Sequence, residues 1–167
     1  MKVLVAVASE HGASIEIGQV IEASIRSAGL EVELKRIEDV SSLSPYDAFV
    51  IGSGVYSGHW MRPAREFVEV HEGELKAKPV WLFSSGPIGD PPRPLENPAE
   101  VAGLLKSLDS RGHRLFPGRI EGSDLGLSEK ALIALVRAPD GDFRPWSEIA
   151  TWAESIAQHL QEDPTEA

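Results

Sequence analysis

The sequence predicts an α/β fold in which helices cover both faces of a mostly parallel sheet. Three almost continuous apolar runs indicate strands that are buried on both sides, and they cover Val3 to Val7, Tyr46 to Gly52 and Pro79 to Ser84. Segments with a helical spacing of apolar residues alternate with these runs, which is the order that packs helices against a parallel sheet. We therefore expect three layers around an open, twisted sheet of five parallel strands in the order 2-1-3-4-5.

A helix and an edge strand are predicted between the first two apolar runs. Apolar residues recur at helical spacing from Ile17 to Ala28, and Gly29 is a candidate cap for the end of that helix. Glu31 to Lys35 then alternates polar and apolar residues, which is typical of a half-buried strand near a sheet edge. After the second run, a helix is predicted to open at Pro63, with one side formed by Phe67, Val68, His71 and Leu75.

Three helices and a strand are predicted after the third run. Asn97-Pro98-Ala99-Glu100 is a favourable helix start, because Asn caps the helix, Pro takes its first position and Glu its third. This helix should stop at Gly112, and His113 to Ile120 should form a strand. Leu127 to Arg137 is predicted to be a short apolar helix. The last helix should begin near Pro145, with an inner stripe of Ile149, Trp152, Ala153, Ile156 and Leu160.

Length and composition restrict the class of protein. The chain fits a single domain, 1–167, with a frayed acidic tail over 162–167. It has no cysteine, which excludes disulfides, thiolate metal sites and cysteine nucleophiles, and we expect no bound metal. A cytoplasmic location is the expectation. No apolar run approaches the ~20 residues that cross a bilayer, so we expect no transmembrane segment and leave peripheral membrane contact open.

The charge balance bears on the class of partner. The formal net charge is −10, from 16 basic and 26 acidic side chains. Nucleic-acid binding needs a basic surface, so this balance argues against it. An acidic surface fits either solvated faces alone or docking to a basic protein partner.

Ligands in such sheets bind beyond the carboxyl ends of the strands, so the loops after the three apolar runs form the candidate site. The first loop contains Ser9, Glu10, His11, Gly12, Ala13 and Ser14. A helix start presents backbone N–H groups to an anion, the two serines add hydroxyl donors, and Gly12 allows a close approach. The loop lacks both the Walker ending and the three-glycine dinucleotide spacing. It is therefore either a phosphate site or a capped tight turn.

The second loop has residues that suit a planar ring. It contains Ser53, Gly54, Val55, Tyr56, Ser57, Gly58, His59 and Trp60. Aromatic residues on a glycine-framed loop can stack on a flat ring, although packing on the next helix is the simpler explanation for Trp60 by itself. His59 would donate a hydrogen bond to the ligand, act as an acid or simply be exposed.

The third loop begins with Ser84, Ser85, Gly86, Pro87, Ile88, Gly89 and Asp90. Its prolines and glycines make it stiff yet able to pass close to a ligand, and a structural turn is the alternative. Asp90 either lies near the edge of the ring or caps a turn. Taken together, phosphate donors, aromatic walls and a Gly/Pro loop match flavin mononucleotide (FMN) better than a free nucleotide.

The sequence resembles the flavodoxin-like family. The phosphate loop of that family usually has the pattern Ser/Thr-x-Thr-Gly-x-Thr, which this chain matches at Ser9, Gly12 and Ser14 and departs from at His11. Three stretches, GSGVYSGHW with the Pro-Ala-Arg-Glu-Phe-Val that follows, LFSSGPIGDP and APDGDFRPW, resemble the flavodoxin-domain branch that includes menaquinone-dependent protoporphyrinogen oxidase. Members of this branch carry an added segment before the last helix, here Gly122 to Phe143. Its apolar residues would either finish the core or form a wall for a hydrophobic substrate.

The resemblance implies non-covalently bound FMN as cofactor and leaves two main functions. The first is an FMN-dependent oxidoreductase that passes electrons from an organic donor, such as a protoporphyrinogen-like molecule, to a quinone. The second is an electron carrier that docks with redox protein partners. A binding module that has lost the flavin is a third alternative, which the departure at His11 keeps open. Arg62 and Arg65 would meet an anionic substrate such as a porphyrin propionate or remain solvated, and the catalytic residues stay unassigned.

Overall fold

The computed structural model describes residues 1–10, 12–56, 58–88, 98, 100–118 and 146–162. These residues form strands β1 (Lys2–Ala8), β2 (Glu31–Arg36), β3 (Ala48–Tyr56), β4 (His59–Trp60), β5 (Val80–Ile88) and β6 (His113–Gly118). The helices are α1 (Ala13–Ser27), α2 (Arg62–Val70), α3 (Glu72–Lys76), α4 (Val101–Ser107) and α5 (Trp146–Glu162), and a 3-10 turn, Ile37–Asp39, follows β2. The segment Gly122 to Phe143, with its predicted helix from Leu127 to Arg137, lies outside the described residues.

Parallel pairing joins β2, β1, β3, β5 and β6, in that order. When the two-residue strand β4 is left out of the numbering, this is the predicted order 2-1-3-4-5, and the predicted fold class is confirmed. Strand β2 lies at one edge, as its alternating pattern indicates. Strand β4 pairs antiparallel with the end of β3 and makes a hairpin that the sequence did not predict.

The core lies on both faces of the sheet, with β1 between them. Because alternating residues of a strand point to opposite faces, the three valines of β1 cluster with residues of α1 and α5, while Leu4 and Ala6 cluster with residues of α2 and α3. Every residue from Val3 to Ala8 is fully buried. A strand in this position must be apolar on both sides, which is why an uninterrupted apolar run predicted it.

Helices α1 and α5 agree with the predicted patterns. After the last residue of α1 and its cap, Gly29 has a φ of 97°, the left-handed conformation that glycine adopts at helix ends. Every member of the predicted inner stripe of α5 is buried. Trp152 of this stripe packs edge-on against Phe83 and Phe116, with ring centroids 6.3 and 5.7 Å away. The last helix therefore closes one face of the core.

The helix predicted from Pro63 is broken at His71. Helix α2 ends at Val70 and α3 begins at Glu72, because His71 has a φ of −103° and a ψ of 15°. The apolar stripe survives the break, since the Leu75 N–H still donates to the His71 carbonyl oxygen at 2.9 Å and Leu75 stays buried. The pattern of buried residues is unchanged, so it could not reveal the break.

Helix α4 begins later and ends earlier than predicted. Glu100 precedes its first residue instead of occupying the third position. The end is set by Asp109, which has a φ of 50°, and by the Ser110 N–H, which donates to the Leu105 carbonyl oxygen at 3.0 Å. This way of ending a helix is more common with glycine, so an aspartate gives a weak sequence signal and Gly112 was wrongly taken as the end.

Strands β3 and β5 continue into residues that were predicted to be loops. The polar and glycine residues at their carboxyl ends are held by backbone pairing, in which Ser53 lies next to Ser84 and Gly54 next to Ser85. Pairing with neighbours outweighs the low strand propensity of glycine and serine. The predicted starting points of these loops, Ser53 and Ser84, therefore lie within β3 and β5.

Candidate functional site

The three predicted segments converge at the end of the sheet where the parallel strands have their carboxyl ends. Ala8, Ser53 and Ser84 are neighbours in register near the carboxyl ends of β1, β3 and β5. The first segment follows Ala8 directly, and the second and third begin at Ser53 and Ser84. The topology thus places the described parts of the predicted site side by side.

The first segment is a turn that starts helix α1. Gly12 is the residue before the helix and has a φ of 85°, a conformation that favours glycine. Its N–H donates to the Ser9 hydroxyl oxygen at 3.0 Å, which leaves the Ser9 hydroxyl hydrogen for another acceptor. Ser14 is buried in the first turn of the helix, one residue after Ala13 begins it. Serine hydroxyls and first-turn N–H groups therefore come together here, while His11 lies outside the described residues.

A cation that the sequence analysis missed lies beside this turn. Arg36 ends β2, and the register places it next to Val7. Its Nη1 donates to the Ser9 carbonyl oxygen at 3.2 Å. Glu10 is exposed on the same turn. No pattern along the chain could have identified Arg36, because only the pairing of β2 with β1 brings it here.

The second segment is a β-hairpin rather than a loop. Val55 pairs with Trp60 and Tyr56 with His59. Gly58 in the turn has a φ of 79°, so glycine makes the tight reversal possible. Tyr56 is 42% exposed, and the His59 side chain is 55% exposed. The hairpin therefore presents these two rings to solvent near the edge of the sheet.

Gly54 lets the hairpin approach the first segment. A Cβ atom added at Gly54 would lie 3.1 Å from the Tyr56 ring and 3.3 Å from Ser14 Oγ. The Tyr56 ring and the Ser14 hydroxyl thus flank Gly54, and a larger residue would push them away. Ser57, next to Tyr56, lies outside the described residues.

The side chain of Trp60 belongs to the core. It is 1% exposed and clusters with Ala64 and Phe67 of helix α2. Its Nε1–H donates to Ser84 Oγ at 2.7 Å. Of the two explanations that the sequence left open for Trp60, packing against the following helix agrees with the structure.

Ser84 links the third segment to two other elements. Its hydroxyl accepts from the Trp60 indole and lies 2.7 Å from Nε2 of His113, the first residue of β6. Burial lowers the pKa of His113 to about 4. The ring is therefore neutral at neutral pH, and it shares a hydrogen bond with the Ser84 hydroxyl in which the tautomer of the imidazole decides the donor.

The end of β5 borders the base of the hairpin. Gly86 has a φ of 105°, and a Cβ added there would lie 3.6 Å from the Val55 carbonyl oxygen. Ser85 is buried. Pro87 and Ile88 fall within β5, and Gly89 and Asp90 lie outside the described residues.

Glu100 is a second residue that the sequence analysis did not assign to the site. Its Oε1 lies 2.9 Å from His59 Nδ1, and its Oε2 accepts from the Trp60 N–H at 3.4 Å. Desolvation raises the pKa of this carboxyl, but hydrogen bonds from its own N–H, from His59 and from Trp60 outweigh it. The net pKa of Glu100 lies below its usual value. Its carboxylate therefore bonds to the hairpin, and Glu100 does not take the predicted third position of the helix.

The two arginines after the hairpin have different surroundings. Arg62 is exposed and pairs with Glu66 at 2.7 Å. Arg65 Nε donates to the Trp60 carbonyl oxygen at 3.1 Å and lies 3.8 Å from Glu100 Oε1. Arg65 thus braces the hairpin, whereas Arg62 is a surface charge.

The described parts of the chain also bear on metal binding and on membrane crossing. Within them, no three His, Asp or Glu side chains come together as ligands for a metal ion. Within the same residues, no helix has the length and apolar character that crossing a membrane requires.

The chain matches the family model of the flavodoxin domain over residues 4–144. Matching solved structures include a flavodoxin from the domain Archaea, with 17% identity, a TM-score of 0.66 and coverage of 96% of this chain and 99% of that one. The rubredoxin oxygen:oxidoreductase of the anaerobe Desulfovibrio gigas matches with 16% identity and a TM-score of 0.66, over 96% of this chain and 36% of that enzyme. A flavone reductase matches with 10% identity and a TM-score of 0.64, over 100% of this chain and 65% of that one.

These findings differ in what they establish. No curated protein sequence matches the chain. Structures at such low identity share the fold, whereas the family model covers well over half of the sequence. On that match, the chain belongs to the family of flavodoxin-domain proteins.

Proposed function

We propose that the protein binds FMN at the carboxyl ends of the parallel strands and acts as an FMN-dependent oxidoreductase. FMN is the cofactor of the flavodoxin family. The observation that carries the proposal is the register of Ala8, Ser53 and Ser84, which brings the turn before α1, the hairpin and the end of β5 to one place. Each of these parts suits a different portion of the cofactor.

The turn before α1 has the donors that a phosphate group requires. First-turn N–H groups of a helix lack partners within the helix, and the helix dipole favours an anion. The hydroxyls of Ser9 and Ser14 add donors, and Arg36 adds positive charge at the Ser9 carbonyl. Apart from the chain neighbours of Gly12, no described atom lies within 4 Å of a Cβ placed on it. The residues present therefore fit the phosphate of FMN.

The hairpin and the end of β5 suit the flavin ring. The exposed face of Tyr56 would stack on the ring, a contact worth about 0.5–1.5 kcal/mol beyond the burial of its area. The backbone at Gly86 passes close to the hairpin, and its polar groups would meet the edge of the ring. Bound FMN would supply the redox chemistry, and these residues would bind and orient it.

Within this proposal, the electron donor is an organic molecule of the protoporphyrinogen type and the acceptor is a quinone. The support is the likeness of three sequence stretches to the branch that includes menaquinone-dependent protoporphyrinogen oxidase. The exposed Arg62 offers a cation to a carboxylate of such a donor. A chain without cysteine fits a cytoplasmic location for this reaction.

An electron carrier for protein partners is the second candidate. The net charge of −10 favours it, because an acidic surface attracts a basic redox partner and speeds their encounter. A carrier needs an accessible ring edge and no site for a small organic substrate.

One series of measurements tests both candidates. Fluorescence titration of the purified protein should give a Kd for FMN in the micromolar range or below. The FMN-loaded protein is then reduced with dithionite, and its reoxidation by a water-soluble menaquinone analogue is compared with reoxidation by a basic redox protein. Faster oxidation by the quinone supports the oxidoreductase, and faster oxidation by the protein supports the carrier. Failure to bind FMN contradicts both.

A further inference from the structure

The outer edge of the hairpin is held by side chains from other elements. Strand β4 is two residues long, and among the described strands it pairs with β3. An edge strand leaves backbone groups that the sheet does not satisfy. Here the Trp60 N–H donates to Glu100 Oε2 at 3.4 Å, and the Trp60 carbonyl oxygen accepts from Arg65 Nε at 3.1 Å. Side-chain hydrogen bonds therefore replace a further strand.

Glu100 also contacts the residue opposite Tyr56. His59 pairs with Tyr56 across the hairpin, and His59 Nδ1 lies 2.9 Å from Glu100 Oε1. Arg65 Nε lies 3.8 Å from the same oxygen. One carboxylate, 40 positions along the chain from Trp60, thus joins both residues of β4 to the start of α4.

A local role in the helix does not account for this carboxylate. Glu100 makes no side-chain hydrogen bond that caps α4. Its side chain is 21% exposed, compared with 57% for Glu66 in the surface pair with Arg62. Surface ion pairs contribute little to the stability of a protein. A carboxylate that is mostly removed from water and accepts from several donors instead fixes the positions of those donors. The lowered pKa of Glu100 agrees with a carboxylate that stays ionised in these surroundings.

We propose that Glu100 is a positioning residue for the flavin ring. Its hydrogen bonds fix the position of β4. Because β4 pairs with β3, they also hold Tyr56 where the flavin ring would bind. The inference rests on the proposed FMN site and adds a residue from outside the three predicted segments. Contacts that order a binding segment in advance lower the cost of ordering it when the ligand binds.

Comparison of FMN with riboflavin separates the two ends of the site, because riboflavin has the ring but no phosphate. In Glu100→Ala, the Kd values for both ligands should rise by the same factor, about tenfold. Glu100→Gln keeps the length of the side chain and one acceptor oxygen, so its loss should be smaller, about threefold for each ligand. Glu66→Gln is the matched control, because it removes the carboxylate of an exposed pair on α2, and both Kd values should stay unchanged.

Properties of the bound flavin distinguish positioning from a general loss of stability. The midpoint potential and the shape of the visible absorption band report the surroundings of the ring. Both should change in Glu100→Ala, change less in Glu100→Gln and remain as in the wild type in Glu66→Gln. Urea unfolding of each flavin-free variant measures its stability, and Glu100→Gln decides the question if Glu100→Ala does not fold.

Three results would overturn the inference while leaving the proposed function in place. The first is an unchanged affinity for both ligands, and the second is a loss of affinity for FMN only. The third is a bound flavin with the potential and absorption band of the wild type. A wild-type protein that binds neither ligand would refute the proposed function and this inference with it.

Discussion

Acid should destabilise this protein partly through an uncharged histidine at the start of β6. The ring of His113 is half-buried, and its Nε2 lies 2.7 Å from Ser84 Oγ. Desolvation lowers its pKa from 6.5 to about 4. As the pH falls through this interval, the unfolded chain takes up a proton that the folded protein does not, so the unfolded state gains stability. The contribution of His113 is complete above pH 6.5 and is lost as the pH falls to about 4.

The interval between the two pKa values sets the size of the effect. One unit of difference between the pKa values of the folded and unfolded states corresponds to about 1.4 kcal/mol of folding free energy. The shift of the His113 pKa from 6.5 to about 4 is therefore equivalent to roughly 3 kcal/mol of stability. Because the ring is only half-buried, water screens part of its charge, and we reduce the expected loss to about 1–2 kcal/mol. Such a loss is a large part of the stability of an ordinary domain.

Urea unfolding of the wild type and of His113→Gln, over a series of pH values, measures this contribution. Glutamine can either accept from or donate to the Ser84 hydroxyl but cannot take up a proton, so the wild type should lose about 1–2 kcal/mol more than the variant as the pH falls through the interval. His159→Gln, on the exposed side of α5, controls for the removal of an imidazole. Parallel curves for the wild type and His113→Gln would refute the reasoning, because they would show that the folded protein accepts the proton as readily as the unfolded chain.

Other substitutions test the phosphate end of the site and the packing of the sheet. Replacing Ser9 and Ser14 together by Ala should weaken FMN binding at least tenfold (about 1.4 kcal/mol) and riboflavin binding much less, and equal losses in fluorescence titration would contradict a phosphate site there. Arg36→Gln should weaken FMN binding about threefold and reduce its dependence on salt, with riboflavin binding unchanged as the control. Gly52→Ala should destabilise the protein by roughly 3 kcal/mol in urea unfolding, because a Cβ there would lie 2.1 Å from the Phe83 ring, and an unchanged midpoint would contradict this packing.

The strand order could be predicted because burial on both faces leaves a visible mark in the sequence. Val3 to Val7 is apolar at every position, since neither face of β1 meets water. The continuation of β3 through Ser53 leaves no such mark, because the backbones of neighbouring strands hold residues of low strand propensity. The break at His71 is hidden for a related reason, since the buried stripe continues to Leu75 on the other side of it.

The segments of the candidate site could be proposed from local chemistry, but the residues that contact them from other elements could not. The turn from Ser9 to Ser14 combines hydroxyls and a glycine directly after a buried strand, so its chemistry is visible in six consecutive residues. Arg36, at the end of β2, contacts the first segment at Ser9. Glu100, at the start of α4, contacts the hairpin at His59. Glu100 also had a sufficient local explanation as part of a helix cap, which concealed its contacts with the hairpin.

The hairpin assigns different tasks to its two arms. The arm at Trp60 is fixed by the burial of the Trp60 side chain and by its indole hydrogen bond to Ser84. The backbone N–H and carbonyl oxygen of Trp60 also form hydrogen bonds with the side chains of Glu100 and Arg65. The arm at Tyr56 carries an exposed ring beside the proposed flavin site. A side chain that stacks on a flat ligand must be both held in place and exposed. A mobile ring loses conformational entropy on binding, and a buried ring cannot be reached by the ligand. If Tyr56 stacks on the flavin as proposed, that contact would depend on hydrogen bonds that Glu100 and Arg65 make to the opposite arm without touching the cofactor.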